Sequence, residues 1–172
     1  MNQPLKIQLI PAPPEDLDDI YTFCQSVAVR TPSSGWNEHY PSREILKHDL
    51  SSRNLYKVLH EGKLLALMQI RCWADFLAGE ESPDTTDWSA SIHNPCALGR
   101  FCVSPDFQGQ GLGRRIMEAS LAFAREMGYD GARFHAVKSN EIANHLYRSM
   151  GFHCAGEKNE YGLTFLCYEM QL

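Results

Sequence analysis

The chain has 172 residues, a length that suits one compact α/β domain, and we expect a single domain over residues 1–172. Hydrophobic residues make up 44% and charged residues 22%, which is ordinary for a folded globular protein and excludes a disordered one. The net charge of −5 argues against an obligate nucleic-acid binder, because affinity for phosphates needs a clustered cationic surface.

The sequence carries no visible membrane or export segment. No run approaches about 18 consecutive apolar residues, and the first ten residues lack an apolar stretch of signal-peptide length and are interrupted by Pro4. The six cysteines form no Cys-x-x-Cys pair, which favours buried, reduced thiols over a catalytic or disulfide-bonded cysteine. We therefore expect a cytoplasmic protein.

The first elements are predicted from alternation and helix-start signals. Residues 5–10 alternate like an opening strand, which the prolines that follow then end. Pro14 and the two acids after it favour a helix start, and apolar residues over 17–27 fall on one helical face. Residues 30–40 form a loop, and Ser42 is suited to cap a short second helix.

The middle of the chain predicts a hairpin followed by an irregular region. Residues 55–60 and 64–71 resemble two strands joined by a Gly-containing turn. Residues 72–95 are rich in acids and contain no Lys or Arg, and we predict a long loop or insertion there. Residues 98–103 form the next strand.

The second half predicts alternating helices and strands around a Gly-rich turn. A helix follows the turn with its apolar face running to Met127, and a second helix covers residues 140–150. Strands are predicted over residues 132–137, 152–156 and 163–170.

A Gly-rich turn between a strand and a helix is suited to bind an anion. Glycines let the backbone approach phosphate oxygens, and the unpaired N–H groups of the helix start point at them. The turn lacks the Lys-Ser/Thr pair of a P-loop, and its glycine spacing does not match a dinucleotide fingerprint. A plain tight turn is the alternative. The residues concerned are Gln108, Gly109, Gln110, Gly111, Leu112, Gly113 and Arg114.

Two blocks of sequence together resemble the GNAT superfamily of N-acetyltransferases. Residues 108–113 are similar to its Gln/Arg-x-x-Gly-x-Gly/Ala signature, and residues 101–105 to the hydrophobic strand with a Val-x-Pro lead-in. A second block, at the expected separation, is similar to its Asn-x-x-Ala-x-x-Leu-Tyr-x-x-x-Gly-Phe segment. That block consists of Asn140, Ala143, Leu146, Tyr147, Gly151 and Phe152.

The resemblance implies an α/β (α+β) fold with a mixed, mostly antiparallel central sheet, flanked by helices and splayed at the coenzyme A site. It implies acetyl-CoA as co-substrate and transfer of its acetyl group to a primary amine by direct attack in a ternary complex. The strand residues Phe101, Cys102 and Val103 would bind the pantetheine arm through their main chain, and Asn140 would hydrogen-bond it. Residues 108–114 would bind the pyrophosphate.

The resemblance also places Tyr147 near the sulfur, where its hydroxyl can protonate the leaving thiolate; a core aromatic is the alternative. His135 is our candidate base, because it lies where one branch of the family has a glutamate and imidazole titrates near neutral pH. The alternative is a polar strand residue that only shapes the pocket. His93, or a carboxylate from residues 72–95 acting through water, are other candidate bases.

Trp36 and Tyr40 lie where the family's first helix–loop–helix covers the acceptor groove, and with the acid-rich segment they could bind a cationic amine. A solvated loop is the simpler explanation of the acids. His145, His153 and Cys154 match no common zinc spacing, so we expect no metal. The acceptor is a small-molecule or peptide amine, no nucleic-acid or membrane partner is expected, and a homodimer stays open.

Three alternatives to this function remain: an acyl-CoA-binding sensor without catalysis, an acyltransferase for longer acyl chains, and a nucleotide-binding module.

Overall fold

The structure is a computed structural model that describes residues 5–172. The expectation that the chain has no export segment rests partly on residues 1–4, which lie outside the described part of the chain. Over the residues described, no helix combines the length and apolar character needed to cross a membrane.

A mixed sheet forms the centre of the fold, as predicted. Within residues 5–172 its strands are β1 (Ile10–Pro11), β2 (Leu55–His60), β3 (Lys63–Cys72), β4 (Pro95–Val103), β5 (Gly131–Val137), β6 (His153–Glu160) and β7 (Leu163–Gln171). They pair in the order β1-β2-β3-β4-β5-β7-β6, and every described pair is antiparallel except β4 with β5. The predicted mixed, mostly antiparallel architecture is confirmed.

Helices flank this sheet. In the described chain they are α1 (Leu17–Arg30), α2 (Arg43–Ser51), α3 (Trp73–Ala78), α4 (Leu112–Glu126) and α5 (Glu141–Ser149). Helix α4 buries Ile116, Met117 and Ala124 at helical spacing, so its apolar stripe packs on the sheet. Ser42 caps α2 as predicted, because its Oγ accepts a hydrogen bond from the Ile45 N–H at 3.2 Å.

The parallel strands β4 and β5 pair over a short distance and then separate. Residues 95–97 pair with residues 131–133, and no register continues beyond them in the described sheet. Beyond residue 97 of β4, its register against β3 shifts between Leu67 and Gln69. Arg100, within this irregular part of β4, has a left-handed φ of 49°. A bulge of this kind bends a strand, so the sheet opens into a gap between β4 and β5.

The predicted opening strand over residues 5–10 is wrong for most of its length. Only Ile10 and Pro11 pair with β2. Leu5, Ile7 and Leu9 are partly buried against the core, so the alternation reflects side-chain burial without strand pairing.

The predicted loop over residues 72–95 is also wrong in part. It begins with α3, and Trp73 of that helix is buried. The rest returns to the sheet, since the Ser89 N–H donates to Glu169 on β7 at 2.9 Å. Met127, predicted on the buried face of its helix, is 45% exposed because α4 ends at Glu126.

Candidate active site

A cavity of about 520 Å³ lies in the gap between β4 and β5. Both strands contribute to it after they separate, and the α1–α2 loop, the β6–β7 turn and α5 complete its walls. Several predicted site residues from distant parts of the sequence line it together. They are Trp36, Tyr40, Phe101, Cys102, His135, Asn140 and Tyr147.

The other predicted cofactor residues do not line the cavity: Val103 ends β4, and residues 108–114 form the turn before α4 and its first residues. Gly111 is the N-cap of α4 with φ 73°, and Gly109 has φ 77°, so both occupy the left-handed region that favours glycine. A Cβ at either position would meet no heavy atom of the described chain within 4 Å. Open space above these glycines leaves their backbone accessible.

The start of α4 has the properties of an anion-binding helix terminus. No side chain caps it, and its first turn contains no acidic residue. The first N–H groups of a helix have no partner within the helix, and the dipole places positive charge at this end. The site therefore presents unpaired donors to a phosphate-sized anion.

The Gly-rich turn adjoins the cavity through Gly113. A Cβ there would lie 3.4 Å from Leu146 Cδ2 on α5 and 4.0 Å from Phe101 Cζ on β4. The Arg114 guanidinium donates to Ser149 Oγ at 2.6 Å, which ties α4 to α5. The helix start, the strand that lines the cavity and α5 are thus held in direct contact.

Gln108 secures the other end of the turn. Its Nε2 donates to the Val103 carbonyl at 3.1 Å and to Thr31 Oγ1 at 3.2 Å. The side chain of Gln108 therefore joins the end of β4 to the end of α1.

Tyr147 both packs in the core and lines the cavity. A core aromatic and a residue beside the site are therefore compatible descriptions of it. Its ring lies 4.6 Å from that of Phe134 and 5.5 Å from that of Tyr168, centroid to centroid. Burial, with a smaller contribution from Tyr168, raises the pKa of the Tyr147 hydroxyl far above its ordinary value. The hydroxyl is protonated at neutral pH and can act as a proton donor.

His135 is surrounded by aromatic rings. Trp88 stacks on it at 6.2 Å with an interplanar angle of 11°, while Phe76 and Trp73 meet it edge-on at 5.4 Å and 6.1 Å. We call these three residues the aromatic wall. His135 Nε2 is buried and has no hydrogen-bond partner among residues 5–172. A buried imidazole nitrogen without a partner retains its capacity to accept a hydrogen bond, and the residue that carries it lines the cavity.

Burial sets the protonation state of His135. Loss of hydration lowers the pKa of its imidazole below the ordinary value, and Lys158 lowers it further. Glu80, Asp84 and Glu160 oppose this with smaller effects. The neutral, proton-accepting form is therefore favoured at neutral pH.

Asn140 combines a structural contact with a place in the cavity wall. Its Oδ1 accepts a hydrogen bond from the Ala143 N–H at 3.3 Å and caps α5. The cap fixes the start of the helix that carries Tyr147.

A polar network that is buried at Asp49 and Gln69 reaches the predicted acceptor loop at the exposed Tyr40. Arg100 donates to Tyr40 Oη at 2.6 Å and to Asp49 Oδ2 at 2.8 Å, and Gln69 donates to Asp49 Oδ1 at 2.8 Å. The sequence analysis did not find Arg100, Asp49 or Gln69. Gln69 within the otherwise apolar run 64–70 was the available signal, because a buried amide requires partners.

Charged residues that the sequence analysis did not single out also line the cavity. Arg71 from β3 and Glu160 from β6 are among them, and the acid-rich segment contributes Glu80. His93, the other histidine named as a base, lies outside the lining. Among residues 5–172 no group of three or more metal-ligating side chains comes together.

Fold and site together define a class: an open, mixed α/β sheet with an accessible helix N-terminus beside a cavity that contains a protonated phenol and a neutral imidazole. The sequence profile of the Acetyltransferase (GNAT) family matches residues 16–152. This chain belongs to that family.

Individual relatives agree with this assignment. Mycothiol acetyltransferase from Propionibacterium freudenreichii is 36% identical over 50 residues, which is 29% of this chain and 16% of that protein. N-alpha-acetyltransferase RimI from Mycobacterium tuberculosis is 40% identical over 60 residues, 34% of this chain and 35% of that protein. The matches thus span well under half of either relative. A GNAT-family acetyltransferase structure from Streptococcus agalactiae superposes with a TM-score of 0.78 at 16% identity, over 96% of this chain and 95% of that one.

Proposed function

We propose that this protein is an N-acetyltransferase that moves the acetyl group of acetyl-CoA to a primary amine by direct attack in a ternary complex. One observation carries the proposal: the accessible N-terminus of α4 adjoins the cavity that Tyr147 and the neutral imidazole of His135 line together. Family membership supports the same reaction.

The residues present fit the coenzyme. The uncapped helix start and the open space above Gly109 and Gly111 suit a pyrophosphate, whose oxygens would accept from the free N–H groups. The main chain of Phe101 and Val103 lies beside the gap in the sheet, where it can pair with the amides of the pantetheine arm. Asn140 would hydrogen-bond the same arm from the end of β5.

Acetyl-CoA supplies an acetyl group activated as a thioester. The residues of the chain handle the protons of the reaction. His135 Nε2 takes the first proton from the bound ammonium, so that the amine has a lone pair, and later releases that proton to solvent. Tyr147 Oη donates its proton to the sulfur as the C–S bond breaks and regains one from the amine nitrogen after the N–C bond has formed. One proton per turnover leaves to solvent, and the other stays on the thiol.

The proposal is tested by incubating the protein with acetyl-CoA and a panel of primary amines, with acetylated product measured by mass spectrometry. Release of thiol is measured in parallel, with a control without amine because the exposed Cys154 contributes background. We expect one acetylated amine per thiol released. Tight coenzyme binding without any product would favour the acyl-CoA sensor and overturn the proposal.

The same assay addresses acyl-chain length. Propionyl-, butyryl- and octanoyl-CoA are compared with acetyl-CoA at equal concentration. Turnover that rises with chain length would overturn acetyl-CoA as the donor and favour the longer-chain acyltransferase.

A further inference from the structure

The cavity lining contains a cation with which no residue between 5 and 172 forms an ion pair. Arg100 and Arg71 both line it, but Asp49 pairs with Arg100 at 2.8 Å. Arg71 forms no ion pair with any residue between 5 and 172. Its guanidinium lies 5.0 Å from the centroid of the Phe76 ring and is half-buried. A cation in this position has lost hydration without gaining a counter-ion at ion-pair distance, and Asp49 and Glu80 act on it only from farther away.

Another part of the lining carries excess negative charge. Lys158 Nζ lies 2.8 Å from Glu80 Oε2 and 3.0 Å from Glu160 Oε2, so one ammonium is shared by two carboxylates. Glu160 Oε1 is buried and has no hydrogen-bond partner in the described chain. Glu80 and Glu160 both line the cavity. An acceptor oxygen without a donor, on a wall with one surplus negative charge, suits an incoming ammonium.

One aromatic ring, that of Phe76, contacts both Arg71 and the predicted base His135. Phe76 lies beneath the Arg71 guanidinium, and its ring also meets the His135 ring edge-on with centroids 5.4 Å apart. A small molecule that lies along Phe76 can therefore reach Arg71 with one end while its nitrogen is beside His135. This arrangement requires an acceptor with charges of opposite sign at its two ends.

We propose, building on the acetyltransferase function above, that the acceptor is a small zwitterion in which a primary amine and a carboxylate are separated by a few bonds. Arg71 binds the carboxylate through the paired N–H donors of its guanidinium. Glu160 Oε1 receives the ammonium, and His135 then removes its proton. Arg71 is accordingly a specificity residue for the acceptor and takes no part in the acetyl transfer.

The experiment compares acceptors that differ in the carboxylate alone. The probes are β-alanine, 4-aminobutyrate and 6-aminohexanoate, each beside its methyl ester, assayed with the original protein and with Arg71→Gln. Esterification changes the basicity of the amine, but it does so equally for both proteins. The ratio of KM values between the two proteins for each probe therefore isolates the carboxylate.

We expect Arg71→Gln to raise KM about tenfold or more for the preferred amino acid and to leave KM for its methyl ester within about twofold. Arg71→Lys should restore part of the loss, because it keeps the charge without the planar donor pair. Arg125→Gln, an exposed arginine on α4, is the control and should change neither value. An equal effect on acid and ester would overturn the inference.

Failure of the inference and failure of the proposed function give different results. Acetylation of alkylamines and esters as efficiently as amino acids would refute the zwitterion alone. If no amine is acetylated, titration calorimetry with the three amino acids still tests Arg71. The amino acid that binds the original protein most tightly should bind it at least tenfold more tightly than it binds Arg71→Gln. Equal binding would refute the inference. Unchanged thermal unfolding of Arg71→Gln shows that the differences do not arise from misfolding.

Discussion

The Gly-rich turn and the aromatic wall lie beside the same cavity and are built in opposite ways. The turn offers backbone donors that no side chain occupies, over glycines with open space around them. The wall is fixed by side chains: Arg133 pairs with Glu169 at 3.3 Å beneath Trp88, and Trp88 donates to Asp84 at 2.6 Å. An anion site can therefore be made locally, whereas a shaped pocket around a base needs contacts between distant segments.

The largest expected effect falls on the aromatic wall. Glu169→Ala leaves the buried Arg133 guanidinium without its carboxylate and releases the Ser89 N–H, so we expect a loss of about 3–5 kcal/mol in the free energy of unfolding. Glu157→Ala is the matched control, because its pair with Lys138 is exposed and should contribute about 1 kcal/mol or less. Denaturant unfolding measures both. Equal losses would show that the buried pair does not secure the wall.

The next effect concerns the turn. Gly111→Asp places a side chain and a negative charge over the donors of α4, and we expect coenzyme A affinity to fall by about ten- to hundredfold. Gly62→Asp is the control, because Gly62 has nearly the same left-handed φ, 75°, in the β2–β3 turn. Both variants should lose similar stability. Calorimetry with coenzyme A measures the difference, and equal affinities would exclude the turn as the pyrophosphate site.

A smaller effect is expected at Tyr147 in the cavity lining. Tyr147→Phe removes the proton donor and keeps the packing with Phe134, so turnover should fall about tenfold while coenzyme A affinity is nearly unchanged. Tyr56→Phe, in the core but outside the cavity lining, should leave turnover unaltered. Steady-state kinetics of both variants measures this. A Tyr147→Phe enzyme with full turnover would remove the hydroxyl from the mechanism.

The smallest effect is a change in pH dependence. Because burial lowers the pKa of His135, kcat/KM should rise with pH through a value below the ordinary histidine pKa of about 6.5 and then level off. His135→Gln should abolish or shift this acidic limb. An identical profile for the variant would assign the base to another group.

The same pKa shift affects stability. Below pH about 6.5 the unfolded chain binds a proton at His135 before the folded protein does, so stability is lost as the pH falls from there to the lower folded-state pKa. His135→Gln should lose less stability than the original protein between pH 7 and pH 5, as measured by urea unfolding at both values. An equal loss would show that the buried imidazole does not account for this part of the pH dependence.

The elements predicted correctly are those whose signals are local. Ser42 identified the start of α2, and the glycines before α4 identified an accessible helix start, because caps and left-handed turns depend on neighbouring residues. Residues 5–9 were misassigned because alternating burial does not require a partner strand. Residues 72–95 were misassigned because Trp73 and Trp88 are ordered by Arg133 and Glu169, far away in the sequence.

The residues of the candidate site also divide into those that local sequence signals predicted and those that they did not. Phe101, His135, Asn140 and Tyr147 were placed in the site from motif positions, and all line the cavity. Their catalytic and binding roles stay predictions. Arg71 and Glu160 could not be found, because nothing next to either residue in the sequence distinguishes it from a solvated charge. Their significance comes from the partners they lack, which only the assembled sheet reveals.

The early separation of β4 and β5 has a consequence for how this enzyme family can diverge. Main-chain groups along residues 98–103 face a gap that a neighbouring strand would otherwise fill. Recognition by peptide groups depends on strand position and hardly on side-chain identity, so substitutions such as Cys102→Ser or Val103→Ile should preserve it. The proposed coenzyme site can thus stay constant while residues on the acceptor side change, and one scaffold can acquire new acceptors without rebuilding its donor half.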